Sequence, residues 1–200
     1  MWRRVVLGAG LGAYITALAY SPWAKRSGAH INPAVTLAFF RLGKIRGWDA
    51  LFYTAAQFAG AVAAVQVMGV VLGAAYADPA IDHVVTKPGP RGLAAAFAAE
   101  FAIALLLMAV VLAAMNSRRL QKWAGAFTGV LIAAYLVVET PMSGMSLNPA
   151  RTFGSAVAAR HWGAMWIYFV APPLAMLLAA DVFARVRKGA GLSEPTFPRW

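Results

Sequence analysis

Ser27-Gly-Ala-His-Ile-Asn-Pro-Ala34 and Ser143-Gly-Met-Ser-Leu-Asn-Pro-Ala150 are two copies of one eight-residue text. Five of the eight positions are identical, and a sixth exchanges Ile31 for Leu147. A single Asn-Pro-Ala is an ordinary helix start, because Asn caps the free N–H groups and Pro fits the first turn. The duplication changes the reading. Each copy follows a long apolar run and precedes a short apolar segment, residues 33–40 and 149–158. As helices these would be ~12–15 Å long, half of a ~30 Å hydrocarbon core. Paired half-spans opening on the same text are the pattern of membrane proteins whose broken helices meet near the midplane.

Outward from the boxes, five stretches approach or exceed the ~20 apolar residues that cross a bilayer. They are residues 5–20, 48–77, 93–115, 123–142 and 162–184, and Trp48, Trp123 and Trp162 each open one. Glycines four residues apart, Gly8/Gly12, Gly69/Gly73 and Gly125/Gly129, offer close backbone approach between helices. The composition agrees: 61% of the 200 residues are hydrophobic and 12% charged. That is more apolar surface than a soluble core of this size hides, since soluble domains run at roughly 45–50% apolar. The chain reads as an all-α membrane protein with the lipid bilayer as its solvent.

The net charge of +11 lies in short clusters between the runs, not along one face with exposed aromatics, which excludes a nucleic-acid partner. Lys25, Arg26, Arg41, Lys44 and Arg46 form one cluster, Arg118, Arg119 and Lys122 a second, and Arg185, Arg187 and Lys188 a third. Five alternating spans put all three on one side, the cytoplasm by the positive-inside rule, with residues 185–200 as a cytoplasmic tail. Arg3 and Arg4 then fall outside, against the rule. Arg3-Arg4, the apolar run and Ala17-Leu18-Ala19 also imitate a cleavable signal peptide. Cleavage would leave the first box without a helix to lean on, so the segment is read as a retained span.

Two half-helices meeting at Asn32-Pro33-Ala34 and Asn148-Pro149-Ala150 have a definite chemistry. The side-chain oxygens cap backbone N–H groups, and the amide NH₂ groups stay free to donate into a pore. Each helix N-terminus carries about half a positive charge, so the pair opposes cations. Irregular backbone in 27–31 and 143–147 is tolerated at that depth only when buried or lining a watery cavity, where its carbonyls become acceptors. Donors at the waist and acceptors beside it suit a single file of small neutral molecules.

The segments SGAHINPAVT (27–36) and SLNPARTFGSA (146–156) resemble the two signature loops of the aquaporin or major intrinsic protein family, and the similarity extends through Gln57–Gly60 and Glu100. The resemblance implies an aquaporin-like inverted repeat of five full spans and two re-entrant half-helices in one channel domain, residues 1–184. Repeat one is 1–77 and repeat two 93–184. It also implies a homotetramer with one pore per subunit and passive permeation. The family has six spans, and this chain starts at what corresponds to the second. The helix whose glutamate braces the first box is the missing one, which sets a non-conducting truncated channel beside the conducting reading.

Individual residues follow. Arg151, at membrane depth, is costly unless it faces a cavity; the resemblance makes it the filter arginine. Glu100, inside an apolar span, reads as structural, and the resemblance has it accept hydrogen bonds from the second loop. Gln57 reads as polar support and His30 as loop packing, while Glu139 and Asp181 read as interfacial. Where water channels carry a filter histidine this chain has Leu136, the loop position is Met145, and the first-span position is Ala9 or Leu11. Glycerol-conducting relatives follow the arginine with Asp; here Thr152, Ala156 and Tyr168-Phe169 look water-type. The expected solutes are therefore water, or else glycerol or another small neutral molecule. With no cysteine, no nucleophile–base pair and no spaced ligand cluster, no catalytic residue, metal or cofactor is expected.

Overall fold

Nine α-helices describe the path of residues 1–190 in a computed structural model, and no strand occurs among these described residues. They are α1 (Trp2–Tyr20), α2 (Pro22–Lys25), α3 (Pro33–Arg41), α4 (Gly47–Leu72), α5 (Leu93–Met115), α6 (Ala124–Val138), α7 (Thr140–Ser143), α8 (Pro149–Ala159) and α9 (Met165–Gly189). Among the described residues, four stretches are long and apolar enough to cross a membrane: Gly47–Ala75, Leu93–Met115, Gln121–Val138 and Met165–Gly189. The fifth expected span, α1, has 19 residues, ~28 Å at 1.5 Å per residue, but Arg3 and Arg4 in its first turn lower its apolarity. α9 runs on to Gly189, so Arg185, Arg187 and Lys188 sit in the helix and not in a tail; the rest of the expected tail, 191–200, lies outside the described residues.

α1 lies along α6, and glycine is the reason it lies so close. A Cβ at Gly12 would stand 2.5 Å from the Gly129 carbonyl oxygen, and one at Gly8 2.7 Å from that of Ala133. Gly125 likewise abuts Ala19 and Tyr20. Gly69 and Gly73 face open space, so that third pair makes no such crossing.

Each half-helix packs on the long helix of the other half: α3 on α9, α8 on α4. Gly154 of α8 permits the second contact, since a Cβ there would meet the Ala61 carbonyl oxygen at 2.9 Å. α5 covers α9, and eight α9 residues from Ile167 to Ala180 are buried. α4 has no such neighbour among the described residues, and none of its own residues is buried.

Candidate functional site

Asn32 and Asn148 begin the two half-helices from extended backbone, with φ −145° and −140°. Each Oδ1 accepts from the helix it caps: Asn32 from Ala34 N–H at 2.9 Å, Asn148 from Ala150 N–H at 3.0 Å and Arg151 N–H at 3.3 Å. Each amide then reaches across. Asn32 Nδ2 donates to the Leu147 carbonyl and Asn148 Nδ2 to the Ile31 carbonyl, both at 2.8 Å. The expectation that the whole NH₂ stays free therefore needs correcting: one N–H of each amide ties the boxes together, leaving the other.

The loops before the boxes share one backbone turn. Gly28 and Gly144 have φ 67° and 83°, and Ala29 and Met145 follow at 55° and 51°. Left-handed backbone at a non-glycine residue costs about 1–3 kcal/mol and persists only where the surroundings over-determine it. The surroundings differ between the repeats. Glu100, fully buried on α5, holds the second loop. Its Oε1 accepts from Ser143 Oγ (2.7 Å) and Ser146 N–H (2.6 Å), its Oε2 from Leu147 N–H (2.8 Å). Tyr168 Oη adds a 2.5 Å bond to the Ser143 carbonyl. The first loop has Gln57 of α4, whose Nε2 donates to the His30 carbonyl (2.6 Å) and Thr36 Oγ1 (3.0 Å). His30 is itself buried, its ring 5.0 Å from Phe39 and 5.7 Å from Tyr53.

A cavity of about 660 Å³ runs from Tyr20, Lys25, Gln121 and Lys122 to Asn32, Asn148 and Arg151. Of the two first-span candidates, Leu11 is among its lining residues and Ala9 is not. Met145 lines it too. Leu136 lies outside that wall, where α6 contributes Ile132 one turn earlier, and the Leu136 carbonyl accepts from Thr140 Oγ1. Val35 holds the place in α3 that Arg151 holds in α8, and both face the cavity. Equivalent places of the two repeats thus carry an apolar side chain and a guanidinium.

Two residues of the site were not placed there by the sequence reading. Glu139, expected at the interface, is buried near Glu100 and Ser143, because α7 turns the chain back onto α5 after α6. Thr86 comes from the long connection between α4 and α5, and its Oγ1 accepts a 2.8 Å hydrogen bond from Arg151 Nη1. That connection has no periodicity to place it. Farther out, the Lys87 ammonium, hydrogen-bonded to Asp82, holds the exposed Asp82 carboxyl below the usual carboxylate range. Asp181, also expected at the interface, is part-exposed and stands 3.0 Å from Arg41. No grouping of His, Cys, Asp or Glu among the described residues could hold a metal ion.

Comparison with known proteins bears on the same residues. The family model described as major intrinsic protein matches residues 2–183. Aquaporin NIP1-2 of Oryza sativa subsp. japonica is 37% identical over 148 residues, 73% of this chain and 49% of that one. Aquaporin NIP6-1 of Arabidopsis thaliana is 36% identical over 162 residues, 80% of this chain and 51% of that one. The chain thus spans about half the length of these curated relatives. The solved structure of the aquaglyceroporin from Plasmodium falciparum superposes with a TM-score of 0.70 at 19% identity, over 95% of this chain and 98% of that one, which establishes the fold. On the matched span and these identities, the chain belongs to the major intrinsic protein family of membrane-spanning proteins.

Proposed function

We propose that the chain is a passive channel for water, one pore per subunit, built as a single unit of two inverted repeats, 1–77 and 93–184. The reciprocal bond between the boxes carries this reading. It fixes two helix N-termini nose to nose at the end of a cavity and leaves one amide N–H of each Asn for a passing oxygen. The paired positive helix ends and Arg151 oppose cations, while a neutral donor–acceptor molecule exchanges bulk hydrogen bonds for those of the wall. Thr152, Ala156 and the Tyr168-Phe169 pair support water over glycerol by family resemblance. The basic clusters at the Arg41 end support a cell-membrane orientation with that end and the C-terminus in the cytoplasm. The family resemblance supports a homotetramer.

The apolar wall of Leu11, Ile132 and Met145 beside Arg151 favours a second solute, glycerol or another small neutral molecule. A separate groove of about 570 Å³ favours a non-conducting reading, because it opens sideways along α4 onto Ile31, Asn148 and Arg151. Stopped-flow shrinkage of proteoliposomes decides among the three. A sucrose shock faster than empty liposomes supports water, and a glycerol shock re-equilibrating faster than empty liposomes supports glycerol. No gain in either sinks both conducting readings. Flux that needs a proton or ion gradient and fails on replacing Glu100 would instead make this a coupled transporter.

A further inference from the structure

We propose that Thr86 is a positioning residue of the constriction: its hydroxyl holds the Arg151 guanidinium against the outer connection and so sets the solute size limit. The inference rests on the channel reading above. Arg151 leaves the first turn of α8 with its backbone N–H capped by Asn148, but its guanidinium extends beyond that helix. Among the described residues, Thr86 Oγ1 at 2.8 Å is its one hydrogen-bond partner. No other guanidinium nitrogen of Arg151 is both buried and unpaired, and the residue lines both the cavity and the groove along α4, so no second protein partner fixes the group. One bond therefore decides where a long, rotamer-rich side chain stands in the path.

The segment bearing Thr86 is fixed firmly enough to do this. Gly89 N–H donates to the Met142 carbonyl at 2.9 Å, and a Cβ at Gly89 would fall 2.0 Å from the Pro141 carbonyl oxygen. From the other side, a Cβ at Gly144 would meet the Lys87 carbonyl oxygen at 2.8 Å and Thr86 Cγ2 at 3.1 Å. The connection thus lies backbone to backbone on the turn that precedes the second box. Its outer end is tied by the Lys87–Asp82 ion pair and by His83, whose N–H donates to the Tyr76 carbonyl at 3.0 Å. Thr86 is 4% exposed, and its β-branch limits the hydroxyl to few orientations. Bonds to a charged donor are stronger and shorter than neutral ones, so a neutral hydroxyl suffices to hold the guanidinium to the wall. Released, the guanidinium drifts into the lumen and obstructs a larger solute more than a smaller one.

Thr86→Val keeps the shape and removes the acceptor; Thr86→Ser keeps the acceptor. In proteoliposomes, Thr86→Val should lower the ratio of glycerol to water permeability by about threefold or more, and Thr86→Ser should restore it. A ratio unchanged in Thr86→Val, or equally low in Thr86→Ser, overturns the proposal. A second measurement does not need flux. In ¹⁵N-arginine-labelled protein, with the Arg151 signals assigned from Arg151→Lys, the Nη resonances should be separate in the wild type and Thr86→Ser and averaged in Thr86→Val. Averaged Nη signals already in the wild type overturn the Thr86 contact itself. Wild-type protein that conducts nothing would sink the channel reading, and the guanidinium spectra would still decide whether Thr86 holds Arg151.

Discussion

Asn32 and Asn148 each use one amide for three purposes: a cap, a tie to the other box, and a remaining donor. Asn148→Asp separates them. A carboxylate still caps Ala150, but the Ile31 carbonyl then faces an acceptor, at a cost of about 1–3 kcal/mol for the lost and frustrated bond. It also places negative charge beside two positive helix ends. The variant should unfold at lower temperature in detergent and let protons leak through proteoliposomes loaded with a pH-sensitive dye; a leak equal to wild type would refute the electrostatic part. Glu100 is a purer structural case, with three donors converging on one buried carboxylate. Glu100→Ala strands all three and should cost about 3–5 kcal/mol. Glu100→Gln misplaces one, the Leu147 N–H, and should cost about 1–3 kcal/mol. Thermal melts of the purified protein rank the two, and equal losses would contradict this geometry.

The α1–α6 crossing shows how far elements are legible in a sequence. Gly8/Gly12, Gly125/Gly129 and Gly69/Gly73 look alike in the chain, yet the first two pairs meet and the third faces open space. Spacing says that a helix has a smooth stripe and says nothing about which helix, if any, lies on it. Gly12→Leu must push the helices apart, as overpacking does, for about 1–3 kcal/mol. Gly69→Ala touches nothing and should be neutral or stabilising by up to about 1 kcal/mol, from helix propensity. A melt in which both variants fall together would contradict the asymmetry. The half-helices were readable because cap, proline and apolar run lie within a dozen residues. Thr86 was not, because only the tertiary fold brings the 76–92 connection over α8, and no local pattern encodes that path. Glu139 was misread for a related reason: a carboxylate after an apolar run signals an exposed span end only when no later segment folds over it. Here α7 turns the chain back in.

At the scale of the whole molecule, two asymmetries coincide. One is packing: α9 is covered by α5, while α4 carries a long apolar surface with no buried residue. In a bilayer such a surface rests on lipid or on another helix at no hydrophobic penalty, so the burial that holds a soluble fold together is not what holds this one. Interlocked half-helices, close glycine contacts and the loop hydrogen bonds take that role, since helix association in lipid depends on packing and polar contacts. The other asymmetry is charge. Arg46 in the α3–α4 connection, Arg119 between α5 and α6, and the Arg41–Asp181 pair all lie at one end, and Asp78 lies at the other. Translocation favours keeping the basic loops on the cytoplasmic side. The chain has no cysteine, so a single introduced thiol reports its own location. In intact cells a membrane-impermeant maleimide should label Asp78→Cys at once, and Arg46→Cys and Arg119→Cys only after permeabilisation. Labelling of the arginine positions in intact cells, with Asp78→Cys protected, would invert the orientation. Labelling of all three would mean a mixed topology, the result expected if Arg3 and Arg4 compete on equal terms with the basic clusters of the opposite end.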